Sequence, residues 1–133
     1  MKNIRWTHAL YAATLAALLT GCSSLSSRTI EYVGVTHFPP SNPAKVEILK
    51  EPPARAHERL GEVVLDISTD PAPAVTKIEA RLKDKAARLG ADAIVIVQDK
   101  AETAGYVVMG PWWSNSYSPV MGRVIVAVAI KYK

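Results

Sequence analysis

Leu19-Thr20-Gly21-Cys22 divides this chain into a part that can fold and a part that is expected to leave. Ahead of it, Lys2 and Arg5 precede a nearly unbroken apolar run from Ala9 to Leu19, and small residues then lead into Cys22. That is the order of a secretory leader: a basic start, an apolar middle and a small-residue cleavage region. The run is too short to cross a bilayer comfortably as a helix, which takes ~20 apolar residues. Residues 1–21 are therefore read as a removable leader, with Cys22 the first residue of the mature chain. From Cys22 to Lys133, 112 residues remain, enough for one domain and not for two. Cys22 is the single cysteine of the 133 residues. No disulfide can staple the domain, so its stability rests on an apolar core.

Leu19, Gly21 and Cys22 resemble the lipoprotein signal of bacteria. The resemblance implies cleavage between Gly21 and Cys22, a diacylglycerol on the Cys22 sulfur and a further fatty acyl group, such as palmitate, on its new amino group. Three acyl chains, at ~0.8 kcal/mol per buried CH₂, make such an anchor effectively permanent. Ser23 and Ser24 follow Cys22, where an Asp would be the inner-membrane retention signal. The expected location is thus membrane-anchored, at the outer membrane and facing the periplasm. An acylated Cys22 offers no thiol for catalysis or for a metal.

The chain has 16 basic and 12 acidic residues. Loss of Lys2 and Arg5 with the leader leaves 14 basic side chains against the same 12, and they are scattered and mixed in sign. The high pI therefore gives no reason to expect nucleic acid.

Along the mature chain, Ser23 to Arg28 reads as a short flexible tether. Thr29 to Thr36 alternates weakly, as an edge strand or an extended lead-in would, and His37 to Pro43 is a proline-fixed turn. Residues 22–42 are thus expected to be a lipidated tether and lead-in, and residues 43–133 the domain. Lys45 to Lys50 alternates as a strand that Pro52-Pro53 ends. Ala54 to Leu60 reads as a polar connection, and Gly61 to Ser68 as a second strand with Val63, Leu65 and Ile67 on one side.

Asp70 is a good N-cap, and Pro71 or Pro73 fits a first helical turn. Val75, Ile78, Leu82, Ala86 and Leu89 then form an apolar stripe at helical spacing, supported by Glu79–Lys83 and Asp84–Arg88 four residues apart. Gly90 is placed to stop the helix. Ala91 to Gln98 is β-branched enough for a buried central strand, Asp99 to Gly105 reads as a turn, and Tyr106 to Met109 as a short strand. Gly110 to Gly122 reads as a loop, and Arg123 to Tyr132 as a second central strand. The expected fold class is α+β in two layers, with one main helix on a small, mostly antiparallel sheet of about four strands.

Val46-Glu47-Ile48-Leu49, Pro52-Pro53, Leu60-Gly61-Glu62-Val63 and Leu89-Gly90-Ala91-Asp92-Ala93-Ile94-Val95 together resemble the small α+β module of the RcsF envelope-stress lipoprotein and the YbjQ-like proteins. The resemblance spans roughly Pro43 to Val97 and the last strand. It implies a small α+β fold in an anchored, periplasmic setting, and the ring assemblies of YbjQ-like proteins make self-association a fair expectation. RcsF signalling depends on paired disulfides, which a mature chain with no cysteine besides Cys22 cannot make. Redox sensing and metal binding are therefore not carried over.

Chemistry-bearing residues are sparse. His37 and His57 lie apart, in no HxxH or HExxH spacing, so no metal site and no cofactor is expected. The serines of the 114–118 segment lie in no nucleophile-elbow motif, and no phosphate-cradling glycine loop exists. The reading is of a non-enzyme with no catalytic residue. What remains is the aromatic loop, where Trp112, Trp113, Tyr117 and Met121 lie between glycine and proline breakers. Exposed, such residues anchor interfaces; folded back, the tryptophans would instead cover the open face of the sheet. The expected function is a non-enzymatic binding or envelope-sensing module with this loop as its contact. The alternative is a structural subunit of a homo-oligomer or larger envelope complex. Expected partners are the membrane, through the anchor, and another envelope protein or a second copy.

Overall fold

The computed structural model describes residues 24–69 and 71–133, so the leader, Gly21, Cys22 and Asp70 lie outside the described residues. Within them are strands β1 (Leu25–Glu31), β2 (Glu47–Leu49), β3 (His57–Ser68), β4 (Ala93–Met109) and β5 (Ser116–Tyr132), and helix α1 (Val75–Arg88). The fold is α+β. The strands form one sheet in the order β1-β3-β5-β4-β2, five strands where about four were expected. β5 is antiparallel to both β3 and β4, β1 is antiparallel to β3, and β2 runs parallel to β4.

Alternation sets the core. Val63, Leu65 and Ile67 of β3 and Ile125, Ala127 and Ala129 of β5 turn to one face, where Ile78, Leu82, Ala86 and Leu89 of the helix cover them. Alanine at positions 127 and 129 leaves room for the helix to sit close to the central strand. Each fully buried leucine here contributes about 1.5–3 kcal/mol of transfer free energy. A smaller apolar cluster, Ala93, Val95, Val128 and Ile130, lies apart from it, with Tyr32, Leu49 and Tyr132 against it.

Three expectations are corrected by the sheet. Residues 25–28, expected as part of a tether, belong to β1, whose seven residues pair with β3 from Leu25↔Ile67 to Glu31↔Gly61. Their serines hid an edge strand that is specified mainly by the free edge of β3. Gly61 lets β1 come this close, because a Cβ there would run into the Ile30 carbonyl. Second, the stretch expected as a polar connection is already strand from His57, paired with Tyr132. Third, β4 is continuous through Asp99 to Gly105, with register shifts near Val97 and Ala104 in place of a turn.

The helix also starts later than expected. Ala74 is its N-cap residue and no side chain caps it; Pro73 holds Ala72 out of helical geometry. Val75, counted in the buried stripe, is 63% exposed. The C-terminus behaves as glycine dictates. Gly90 sits at φ +76°; its N–H donates to Ala87 O at 2.9 Å and that of Ala91 to Ala86 O at 3.1 Å, the Schellman pair. Ser41 then ties the proline-rich lead-in to this helix end, its N–H donating to Ala87 O at 2.8 Å and its hydroxyl to Ala91 O at 2.6 Å.

At the same end, Asp92 joins three strands. Its carboxylate accepts from Lys131 Nζ at 2.7 Å and from the Tyr132 N–H at 3.0 Å, while its carbonyl accepts from the Glu47 N–H at 3.1 Å. Burial alone would raise the Asp92 pKa, but the Lys131 hydrogen bond, the Tyr132 amide and the nearby charges outweigh it and hold it below the usual carboxylate range.

Two outcomes follow from this packing. A Cβ at position 90 would lie 2.5 Å from Phe38 Cβ and 2.7 Å from Pro39 O. Gly90→Ala should therefore lower stability by at least about 1–2 kcal/mol, read as the urea midpoint. Asp92→Asn should cost under about 1 kcal/mol near neutral pH, since both partners of the ion pair are partly exposed. A lowered folded-state pKa means that the unfolded chain binds more protons. The wild-type advantage should then be constant above about pH 5 and fade as pH drops through and below about 4, checked by urea melts across pH.

Candidate functional site

The candidate site is the outer half of the β4–β5 hairpin. β3 ends at Ser68, which pairs with Gly122, and Gly122 pairs with Glu102 on the other side. Beyond that row β4 and β5 pair only with each other, from Thr103↔Met121 to Met109↔Ser116. The segment expected as a loop is therefore mostly strand, and an uncovered two-stranded arm leaves the sheet. Seven residues, Thr103 to Met109, at ~3.3 Å each, give it a length of about 23 Å.

The arm closes on a tight turn. Ser114 N–H donates to Pro111 O at 2.9 Å, which puts Trp112 and Trp113 at the two central positions and throws both rings outward. Gly110 enters the turn at φ +106°, and a Cβ there would collide with the Ser114 carbonyl. Trp112 is 85% and Trp113 71% exposed, with ring centroids 5.5 Å apart and planes at 88°. They do not fold back over the sheet.

The expected site residues share this arm without converging on one point. Trp112 and Trp113 form its tip, Tyr117 stands one pair below the last, Met109↔Ser116, and Met121 is at its root. Register shows what the sequence reading missed. Tyr106 pairs with Pro119 and Val108 with Tyr117, so these four line one face together with Met121. The other face carries Val107 and Met109 opposite Ser118 and Ser116, with Val120 below. Tyr106, Val107, Val108, Met109 and Val120 are all exposed large apolar residues. One signal for them was present: no Asp, Glu, Lys, Arg or His occurs from Thr103 to Gly122.

No protein-family model and no curated protein matches the chain. Among solved structures, the crystal structure of the Francisella virulence factor FvfA in its orthorhombic form is similar at TM-score 0.48 and 13% identity, over 80% of this chain and 97% of that one. A likeness of that size carries no argument about fold or function.

The root of the arm is clamped. Arg123 Nε and a terminal guanidinium nitrogen each lie 2.6 Å from an Asp99 carboxylate oxygen, bridging β5 to β4. The Arg123 hydrogen bond holds the Asp99 pKa below the usual carboxylate range, against a smaller opposing effect of burial. On the outer side, the Thr69 hydroxyl donates to Met121 O at 2.6 Å. Next to this root lies an open groove of about 500 Å³, lined by Ser24, Ser26, Asp66, Ser68, Glu102 and Arg123 among others. Its described lining brings no histidine to its serines.

The two histidines stand elsewhere. His37 is 3.9 Å from Glu31 on the surface, and His57 Nδ1 is 2.8 Å from Arg55 O. Among the described residues, no three of His, Cys, Asp and Glu gather as metal ligands, and no helix is long and apolar enough to cross a membrane.

Because both tip rings are solvent-exposed and clear of the core, Trp112→Ala with Trp113→Ala should change unfolding free energy by no more than about 0.5 kcal/mol. Urea unfolding followed by far-UV circular dichroism tests this.

Proposed function

We propose that this chain is a membrane-anchored lipoprotein of the cell envelope, acting as a non-enzymatic binding or sensing module at the periplasmic face of the outer membrane. Cys22, acylated after cleavage at Gly21, would hold it there, and the arm from Thr103 to Gly122 would make its contacts. The observation that carries the binding half is the exposure of the arm, which places two tryptophans, two tyrosines and a run of aliphatic side chains in solvent with no charge among them. A contiguous apolar surface of this kind marks an interaction site. The likeness of Leu60–Val63 and Leu89–Val95 to the RcsF/YbjQ-like module belongs to the same proposal. In this fold those residues do structural work, through Gly61 beneath β1 and Gly90 at the helix end.

A second reading, a subunit of a homo-oligomer, is favoured by the unpaired outer edges of the arm, since an open strand edge is a template for pairing. Light scattering on the mature protein in detergent separates the two: a single copy removes the oligomer.

The anchor is tested directly. Cys22→Ser should abolish incorporation of labelled palmitate and shift the protein from the membrane to the soluble periplasmic fraction. Unchanged membrane association in that variant would sink the lipoprotein reading.

A further inference from the structure

We infer that the arm's partner is the lipid bilayer that holds Cys22, with the Tyr106–Val108–Tyr117–Pro119–Met121 face lying in the boundary between headgroups and acyl chains. The inference rests on the anchored reading above and assigns the arm its ligand.

Position comes first. Ser24 N–H lies 3.1 Å from Ser68 Oγ, and Ser68 N–H donates to Ser24 O at 3.0 Å. Ser24 therefore belongs to the row Ser24–Ser68–Gly122–Glu102, where the covered sheet ends and the arm begins. Cys22 is two residues earlier in the chain, a reach of at most ~7 Å. Anchor and arm thus leave the domain at the same end. A bilayer gripping Cys22 lies within the ~23 Å span of the arm, and short of its tip.

Chemistry agrees. Tryptophan and tyrosine settle at the headgroup level, where a ring can be apolar on its faces and still hydrogen-bond at one edge. The arm carries Trp112 and Trp113 at its tip and Tyr106 and Tyr117 on one face, with no charged group to desolvate. The opposite face sets the Ser116 and Ser118 hydroxyls among Val107, Met109 and Val120, so it is the more mixed of the two and carries no aromatic ring.

Depth follows from the backbone. An arm standing upright would carry its tip ~16 Å beyond the reach of Cys22, on the order of the half-thickness of the hydrocarbon core. Beyond the Met121 carbonyl, which takes the Thr69 hydroxyl, the outer edges of its two strands have no strand partner among the described residues, and unpaired amides are not tolerated in hydrocarbon. The arm therefore lies along the interface and does not plunge through it.

The molecule carries its own reporter. Of the three tryptophans, Trp6 leaves with the leader, so Trp112 and Trp113 supply all the indole fluorescence of the mature protein. The test uses the mature acylated protein, reconstituted into phosphatidylethanolamine–phosphatidylglycerol vesicles. These are doped with phosphatidylcholine brominated near either the headgroup end or the methyl end of its chains. Expected are flotation with the vesicles, blue-shifted emission relative to detergent-free buffer, and stronger quenching by the shallow bromines than by the deep ones. Val108→Asp with Tyr117→Asp should still float, keep its circular dichroism spectrum and lose the quenching. Flotation with unquenched, water-like emission overturns the inference and leaves the anchored reading standing. Stronger quenching by the deep bromines also overturns it, in favour of arms paired into an inserted assembly. Failure to float overturns both.

Discussion

The fold hangs on β5. Its two antiparallel partners, β3 and β4, are the other two long strands of the described sheet, and the part of β5 that lies between them is held at each end by a carboxylate. At one end Asp92 takes Lys131 and the Tyr132 amide; at the other Asp99 takes Arg123 in a two-pronged bond. Between the two lie the side chains that meet the helix, Ile125, Ala127 and Ala129, and those of the second cluster, Val128 and Ile130. The Asp99–Arg123 pair therefore marks a physical boundary. On one side of it β5 is core; on the other the same strand has lost β3 as a neighbour and is arm. An ion pair at the surface is worth little in isolation. Its value here is positional, because it pins the register of β4 on β5 just before the hairpin leaves the support of the sheet.

Much of the core could be read from residue periodicity. The stripe Ile78, Leu82, Ala86, Leu89 and the stop at Gly90 are local properties of a helix, so the sequence carries them in plain form. The alternation of Val63, Leu65 and Ile67 is local too. What escaped was set by neighbours. β1 has little apolar content of its own beyond Leu25 and Ile30 and is a strand because β3 offers it an edge and Gly61 lets it approach. β4 continues through Asp99, Lys100 and Glu102, a polar stretch that looks like a turn, because by then it lies near the margin of the covered sheet and polar side chains meet water. The helix starts from Ala74 for a local reason, because Pro73 keeps Ala72 out of helical geometry.

The candidate site was half legible. Trp112, Trp113, Tyr117 and Met121 stand out by residue type, yet reading Gly110 to Gly122 as a loop separated them from Tyr106 to Met109. Only cross-strand register brings Tyr106 to Pro119 and Val108 to Tyr117 and makes one face of them. The stronger clue was an absence, the lack of any ionisable side chain from Thr103 to Gly122 in a chain that is 21% charged. Periodicity does not register an absence, so charge has to be followed separately from hydropathy.

A two-stranded ribbon standing off a sheet is marginal by itself in water, since it has no second layer to bury its faces. Serine, threonine and lysine would serve a mere hairpin better than Val107, Val108 and Met109, which gain nothing from the core. The apolar content of the arm is thus unexplained by folding, and the proposed contact with a surface accounts for it. The distribution of charge along the sheet gives that surface a direction. Arg55 stacked on Tyr132 at 4.5 Å, Lys131 and Lys133 gather at the end remote from the arm; Asp66, Asp99, Lys100, Glu102 and Arg123 lie about its root, and the arm from Thr103 to Gly122 carries no charge. A domain graded in this way, from a charged base to an uncharged aromatic tip, has one favoured orientation before a low-dielectric phase. The first described residue, Ser24, leaves it from the side that this orientation presents.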